Sequence, residues 1–304
     1  MTDRPEDVTD GPTTDDAGAS PSDGDRATDD RAERRGDETL DSGDSVGEGF
    51  ALASRGALGF LTRLPVGTEL ESWEAFRRRP AAFVPVGYLV GALAAVPFAL
   101  GLPAPTVALL FPIALVLVTG INHADGVADL ADAAVVHEEG EAADDANLAA
   151  RRRVLKDSAV GVGGTIALAG LVAGLVLAGL ALAGMPTFQA IGLVVASEVS
   201  AKLGMATLAC LGEAPFDGLG AQLTRVSDED DLLEPVLVAI PAVLATVPTP
   251  VAFVALVAGV GTALALRRWA AANLGGVNGD VFGAANELAR LVALHAGVMA
   301  WTLS

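Results

Sequence analysis

Between residues 83 and 303 the chain carries seven apolar runs, at about 83–102, 104–120, 160–184, 187–211, 233–247, 250–267 and 283–303. A helix rises about 1.5 Å per residue, so about 20 apolar residues cross the roughly 30 Å hydrocarbon core of a bilayer. Lipid offers a backbone amide no hydrogen-bond partner, so runs like these must pair their own amides as helices. The expected fold class is therefore all-α: a polytopic integral membrane helical bundle with about seven transmembrane helices. Composition agrees, since the 304 residues are 52% hydrophobic with 5% aromatics and a mean hydropathy of +0.48. The apolar block from 232 to 266 is too long for one helix, and "VPTP" at 247–250 marks its turn, because each proline removes a donor and restrains its predecessor. Spacings such as Gly87/Gly91 and Gly170/Gly174 suit close helix contacts in lipid or are ordinary membrane composition.

Charge divides the chain into two parts. Residues 1–48 hold 16 acids and 5 arginines, a net of −11, whereas the other 256 residues hold 22 acids and 14 bases, a net of −8. The first part has little to bury and is expected to be a disordered acidic N-terminal tail. It lacks the apolar core of a signal peptide. Residues 49–304 then form one multi-span membrane domain. With only two lysines, Lys156 and Lys202, and many aspartates, the chain resembles proteins of salt-adapted cytoplasms. No basic patch with interleaved aromatics is present, which excludes nucleic acid as a partner. The single Cys210 reads as a small buried thiol.

The arginines near the span ends set an orientation. Arg77, Arg78 and Arg79 place the start of the first span in the cytoplasm. Counting spans from there puts Arg151 to Lys156, Arg225 and the pair Arg267, Arg268 on the same face.

Three polar motifs share that face. In "TGINHADGVADLADA" (119–133), Asp125, Asp129 and Asp132 recur at i, i+4 and i+7, on one side of a helix. Hard oxygen ligands this close suit Mg²⁺ or Mn²⁺, which take one or two carboxylates and complete their shell with phosphate oxygens. A solvated helix end is the other reading. "RRRVLKDSAVGVGG" (151–164) offers arginine forks and Lys156 to a phosphate-rich ligand. Its glycines open a helix start to close approach by that ligand, while the bases also serve as membrane anchors. "GGVNGDVFGAANELAR" (275–290) puts Asn278 and Asp280 at a helix entrance and Glu287 two turns inside. A carboxylate so placed marks a functional interior or a local pair with Arg290. His123, His137 and His295 lack metal-ligand spacing; His123 adjoins the aspartates, and His295 reads as a satisfied interior side chain. The arrangement suits metal-assisted phosphoryl transfer on an anionic substrate at the bilayer surface.

Five segments, "FLTRLPVG", "VPVGYLVGAL", "TGINHADGVADLADA", "RRRVLKDSAVGVGG" and "GGVNGDVFGAANE", stand in the order seen in the cobalamin synthase (adenosylcobinamide-GDP ribazoletransferase) family, which the chain resembles over roughly residues 50–303. The resemblance implies a Mg²⁺-dependent transferase of the cell membrane with its active site facing the cytoplasm. Its substrates are adenosylcobinamide-GDP and α-ribazole or α-ribazole 5′-phosphate, and it releases GMP. It further implies Asp125, Asp129 and Asp132 as metal carboxylates and Asp125, Asp129, Asp157 and Asp280 as the catalytic set. Arg63, Arg153, Lys156, Ser158, Asn278 and Glu287 become substrate-binding. This chain departs from the family pattern at Ile121 and Ala133, where glycine is usual, and at Asn278, where Thr is common. Two other readings compete. A CDP-alcohol phosphotransferase shares a D-G-x-x-A core but needs Arg where Asp129 stands. An ion-coupled transporter would set its acids near the midplane of interrupted helices.

Overall fold

The computed structural model describes residues 47–67, 69–136, 143–156 and 159–304. The acidic segment up to residue 46, Thr68, the polar stretch 137–142, Asp157 and Ser158 lie outside the described residues. Residues 47–304 form a compact unit whose described residues are helical, with no strand.

The unit opens with α1 (47–61) and α2 (Leu70–Arg77). Ala53, Ala57 and Leu61 form the buried stripe of α1, the i, i+4, i+8 spacing of an amphipathic helix. Gly56 leaves no side chain between α1 and the backbone of Ser72 in α2. Phe60, Trp73, Phe76 and Phe83 then stack edge to face or tilted, with centroids 4.8 to 5.9 Å apart.

The membrane part follows as α3 (Phe83–Ala94), α4 (Val96–Ala99), α5 (Ala104–Thr119), α6 (Asn122–Ala134), α7 (Ala143–Val154), α8 (Val162–Leu182), α9 (Thr187–Leu211), α10 (Leu219–Thr224), α11 (Leu233–Val243), α12 (Val251–Leu274) and α13 (Gly279–Leu303). All seven expected apolar runs are helical, but the expected count of seven full spans is not confirmed by helix length and composition. Among the described residues, α8, α9 and α12 are each long and apolar enough to cross a membrane, and α5 and α6 together would make a fourth. Short lengths and charge explain the rest. The run at 83–102 breaks at Ala95, so α3 has 12 residues and reaches about 18 Å. α11 has 11 residues, with Pro241 inside it. α13 is long enough, but Asp280, Glu287 and Arg290 lower its apolar content.

α9 is the axis of the bundle. Its apolar window is 94% buried, against 28% for α8 and 33% for α12, which face outward. α3 reaches α9 through Gly87 and Gly91, where a Cβ would stand 2.8 and 2.7 Å from the α9 backbone; this small-residue spacing does serve helix contact. Gly174 likewise leaves room for Leu291, but Gly170 faces open space. Ser200 of α9 donates to the carbonyls of Ala255 and Leu256 in α12, at 3.3 and 2.9 Å.

Candidate active site

α5 closes at Gly120, whose φ of +76° belongs to the left-handed region that glycine tolerates best. The chain there bends by 101° into α6, so α6 does not continue the span and runs across its end. Arg63 is fixed to this corner. Its amide donates to the carbonyl of Val118 at 2.7 Å, and a Cβ on Gly120 would stand 2.9 Å from its Nε.

The three aspartates of α6 have different neighbours. Asp132, at the buried end of the series, accepts from the amides of Gly161 (2.7 Å) and Gly164 (2.9 Å), one on each oxygen. Those amides are the unsatisfied donors at the start of α8, and an anion there is favoured by both hydrogen bonding and the helix dipole. The glycines of "GVGG" make room for this carboxylate. A Cβ on Gly163 or Gly164 would fall 3.0 or 2.6 Å from an Asp132 oxygen. The expectation that these glycines open the helix start to a substrate is thereby corrected, because an internal carboxylate already occupies the amides. Asp132, expected as a metal carboxylate, thus has each of its oxygens engaged by one amide of the chain.

Asp125 and Asp129 instead face the first turn of α13. Gly126 brings the helices together, since a Cβ there would lie 2.5 Å from the Asp280 carbonyl oxygen. Asn278 caps α13, its Oδ1 accepting from the Val281 amide at 3.0 Å. Its Nδ2 donates to Asp280 Oδ2 at 2.9 Å and so aims that carboxylate. Burial, then the charges of Asp280, Asp125 and Asp132, push the Asp129 carboxyl up to about 6. Burial and Asp125 also raise Asp280, against the opposing hydrogen bond from Asn278. Among the described residues no group of three or more His, Cys, Asp or Glu side chains is placed to hold a metal ion. The pair of mutually repelling carboxylates nevertheless fits a hard cation that keeps positions open for phosphate oxygens.

Bases border the same end of the bundle. Arg151 donates to Asn273 Oδ1 (2.7 Å) and Arg152 to the carbonyl of Leu274 (3.1 Å), which ties α7 to the end of α12. Arg267 Nε donates to the carbonyl of Leu211 at 2.6 Å, at the end of α9. Arg63, Arg153 and Lys156 are exposed. Arg79 is engaged elsewhere, forked onto Glu234 at 2.6 to 3.2 Å. Asp157 and Ser158, expected beside the phosphates, lie outside the described residues.

Glu287 is not a wall of the site, and the local-pair reading holds for it. It accepts from Arg290 Nη1 at 2.5 Å. Arg290 also reaches both oxygens of Glu198 on α9 through Nε and Nη2. Lys202, one turn along α9, donates to Asn286 Oδ1 at 2.5 Å and lies 3.6 Å from Glu198 Oε2. Asn286 Nδ2 in turn donates to Glu287 Oε1 at 3.1 Å and meets His123 Nδ1 at 3.3 Å. Two acids and two bases thus balance inside the bundle, all of them buried. Sequence reading passed over Glu198 and Asn286. The i, i+4 pair Glu198/Lys202 inside an apolar run was the available signal. His295 is satisfied as expected, with Nε2 3.1 Å from the Gly174 carbonyl. Cys210 is buried and free.

A family model described as cobalamin-5-phosphate synthase matches residues 53–298. Curated relatives named adenosylcobinamide-GDP ribazoletransferase are similar over most of the chain. The Halorubrum lacusprofundi protein is 52% identical over 82% of this chain and 98% of its own. The Haloquadratum walsbyi protein is 44% identical over 83% and 98%, and the Methanocella arvoryzae protein 33% identical over 81% and 94%. No solved structure matches. With its helical membrane bundle and its acids gathered where α6 meets α13, the chain belongs to the cobalamin-5-phosphate synthase family.

Proposed function

We propose that the protein joins adenosylcobinamide-GDP to α-ribazole or α-ribazole 5′-phosphate, forming adenosylcobalamin or its 5′-phosphate and releasing GMP. One observation carries the reading: Asp125 and Asp129 of α6 lie near enough to Asp280, in the first turn of α13, for their charges to act on one another, in a chain whose relatives bear the ribazoletransferase name. The ribazole 3′ hydroxyl oxygen forms a bond to the phosphorus attached to cobinamide. The bond from that phosphorus to the GMP oxygen breaks, and the hydroxyl proton passes to water.

A pair of carboxylates from Asp125, Asp129 and Asp280 would hold Mg²⁺, which when bound would offset the charge of the diphosphate. Asn278 keeps Asp280 aimed through its 2.9 Å hydrogen bond. Arg63, Arg153 and Lys156 supply donors for the phosphate oxygens, and Asp157 and Ser158 join them on sequence grounds alone. Positioning and charge neutralisation carry most of a phosphoryl transfer, so the site needs no strong base. The arginine clusters support a cytoplasmic orientation for this end of the bundle.

The test is GMP release from adenosylcobinamide-GDP by purified protein across a Mg²⁺ titration. Activity should require the metal and vanish with a chelator. Asp129→Asn and Asp280→Asn should each lower turnover by about 100-fold or more. Wild-type rates in both variants at limiting Mg²⁺ would remove the acids from the mechanism. A wild-type protein that releases no GMP would remove the reaction itself.

A further inference from the structure

We propose that a cavity beside the acids receives the base of the acceptor nucleoside, the benzimidazole ring of ribazole, and that His123 recognises it. The inference rests on the ribazoletransferase reading and adds a subsite to it. The cavity measures about 180 Å³ and lies among α1, α6, α9, α10 and α13. Its wall is apolar and partly aromatic, with Phe60, Met205, Leu219, Leu223 and Phe282. An enclosed cavity of about 150 Å³ lined by Leu, Ile and Phe holds a benzene molecule. This one therefore suits a single small fused ring and excludes a corrin or a guanosine diphosphate.

The hydrogen-bond network sets the polarity of His123. Lys202 can only donate, so the Asn286 atom 2.5 Å from its Nζ is the amide oxygen. The Asn286 nitrogen must then face the other way, as its 3.1 Å bond to Glu287 Oε1 independently requires. That nitrogen meets His123 Nδ1 at 3.3 Å, so Nδ1 accepts and the ring hydrogen sits on Nε2. No acceptor among the described residues takes that hydrogen, and His123 lines the cavity. A glycosylated benzimidazole has one free ring nitrogen, which carries a lone pair and no hydrogen. It accepts what His123 Nε2 donates. Placement agrees with this. His123 stands two residues before Asp125, and Gly279, which also lines the cavity, stands one before Asp280. A base held here keeps its ribose within reach of the acids.

Binding of free dimethylbenzimidazole and of α-ribazole to the full chain in detergent, followed by ligand fluorescence, separates the subsite from turnover. Wild-type protein should bind both. His123→Leu should weaken both by about tenfold, the worth of one hydrogen bond, and His123→Gln, which keeps a donor, should restore most of the loss. Leu219→Phe fills the cavity and should abolish binding of the base without touching the network. In GMP-release assays the same variants should raise KM for ribazole and leave KM for adenosylcobinamide-GDP unchanged. If His123→Leu fails to fold, Leu219→Phe decides alone. Wild-type protein that binds no base, or a Leu219→Phe variant that binds as wild type does, overturns the subsite while GMP release leaves the reaction standing. The expected binding pattern without GMP release upholds the subsite and overturns the reaction.

Discussion

Asp129 and Asp132 differ by one helical turn and by everything that surrounds them. Asp132 has an amide on each oxygen, so its role is to start α8. Asp132→Ala should lower stability by about 0.5–2 kcal/mol, the usual cost of a lost N-terminal cap. Thermal unfolding in detergent reads that loss, and turnover per folded molecule should fall far less than in Asp129→Asn. Equal losses of turnover in the two variants would return Asp132 to the metal site. Gly120 offers a second test at this scale. With φ at +76° and ψ at −162°, a backbone conformation essentially confined to glycine, Gly120→Ala should cost about 1–3 kcal/mol in backbone strain. The new methyl also presses on Arg63, so KM for adenosylcobinamide-GDP should rise as well.

Between elements, the network of Glu198, Lys202, Asn286, Glu287 and Arg290 locks α9 to α13 and reaches α6 through His123. Its charges balance, and removing one leaves an uncompensated charge in a dry interior. Arg290→Met strands Glu198 and Glu287 and should cost about 3–5 kcal/mol, read as a lower unfolding midpoint at fixed detergent concentration. An unchanged midpoint would mean that water reaches the network. The packing of α3 on α9 is equally specific. At Gly91 a Cβ would stand 2.7 Å from the Val195 Cα, so a larger side chain there must part the two helices.

At the scale of the whole molecule, the polar segments gather at one end. Asp132 meets Gly161, Arg152 meets Leu274, Arg267 meets Leu211, and Gly126 meets Asp280. Single cysteines at Ala149, Arg225 and Ala272, all exposed, report which side of the membrane this is. In a Cys210→Ala background they should react with an impermeant thiol reagent in inside-out vesicles only. Labelling of any one from outside would break the proposed orientation. Removing residues 1–46, which precede α1, should leave insertion and GMP release largely intact, because that acidic segment offers no apolar surface to bury.

What the sequence by itself determined is periodic or compositional. Apolar runs in a solvent without hydrogen-bond partners require helices, so the all-α membrane class and the position of every long helix were readable from residues alone. So were the i, i+4 relation of Asp125 and Asp129, the polar entrance of the last helix at Asn278 and Asp280, and the interior character of Glu287. Crossing length was not readable, since it depends on breaks such as those at Ala95 and Leu244. Nor was the partner of each charged group. Asp132 and Gly161 are 29 residues apart, and Glu198 and Arg290 are 92 apart. Local spacing places a side chain on a helix face but does not say which helix covers that face. Tertiary packing made that choice, and with it decided that one aspartate caps a helix while its neighbour faces a third acid. In a low-dielectric interior each charge is held by the groups that surround it, and only the folded chain brings those groups together.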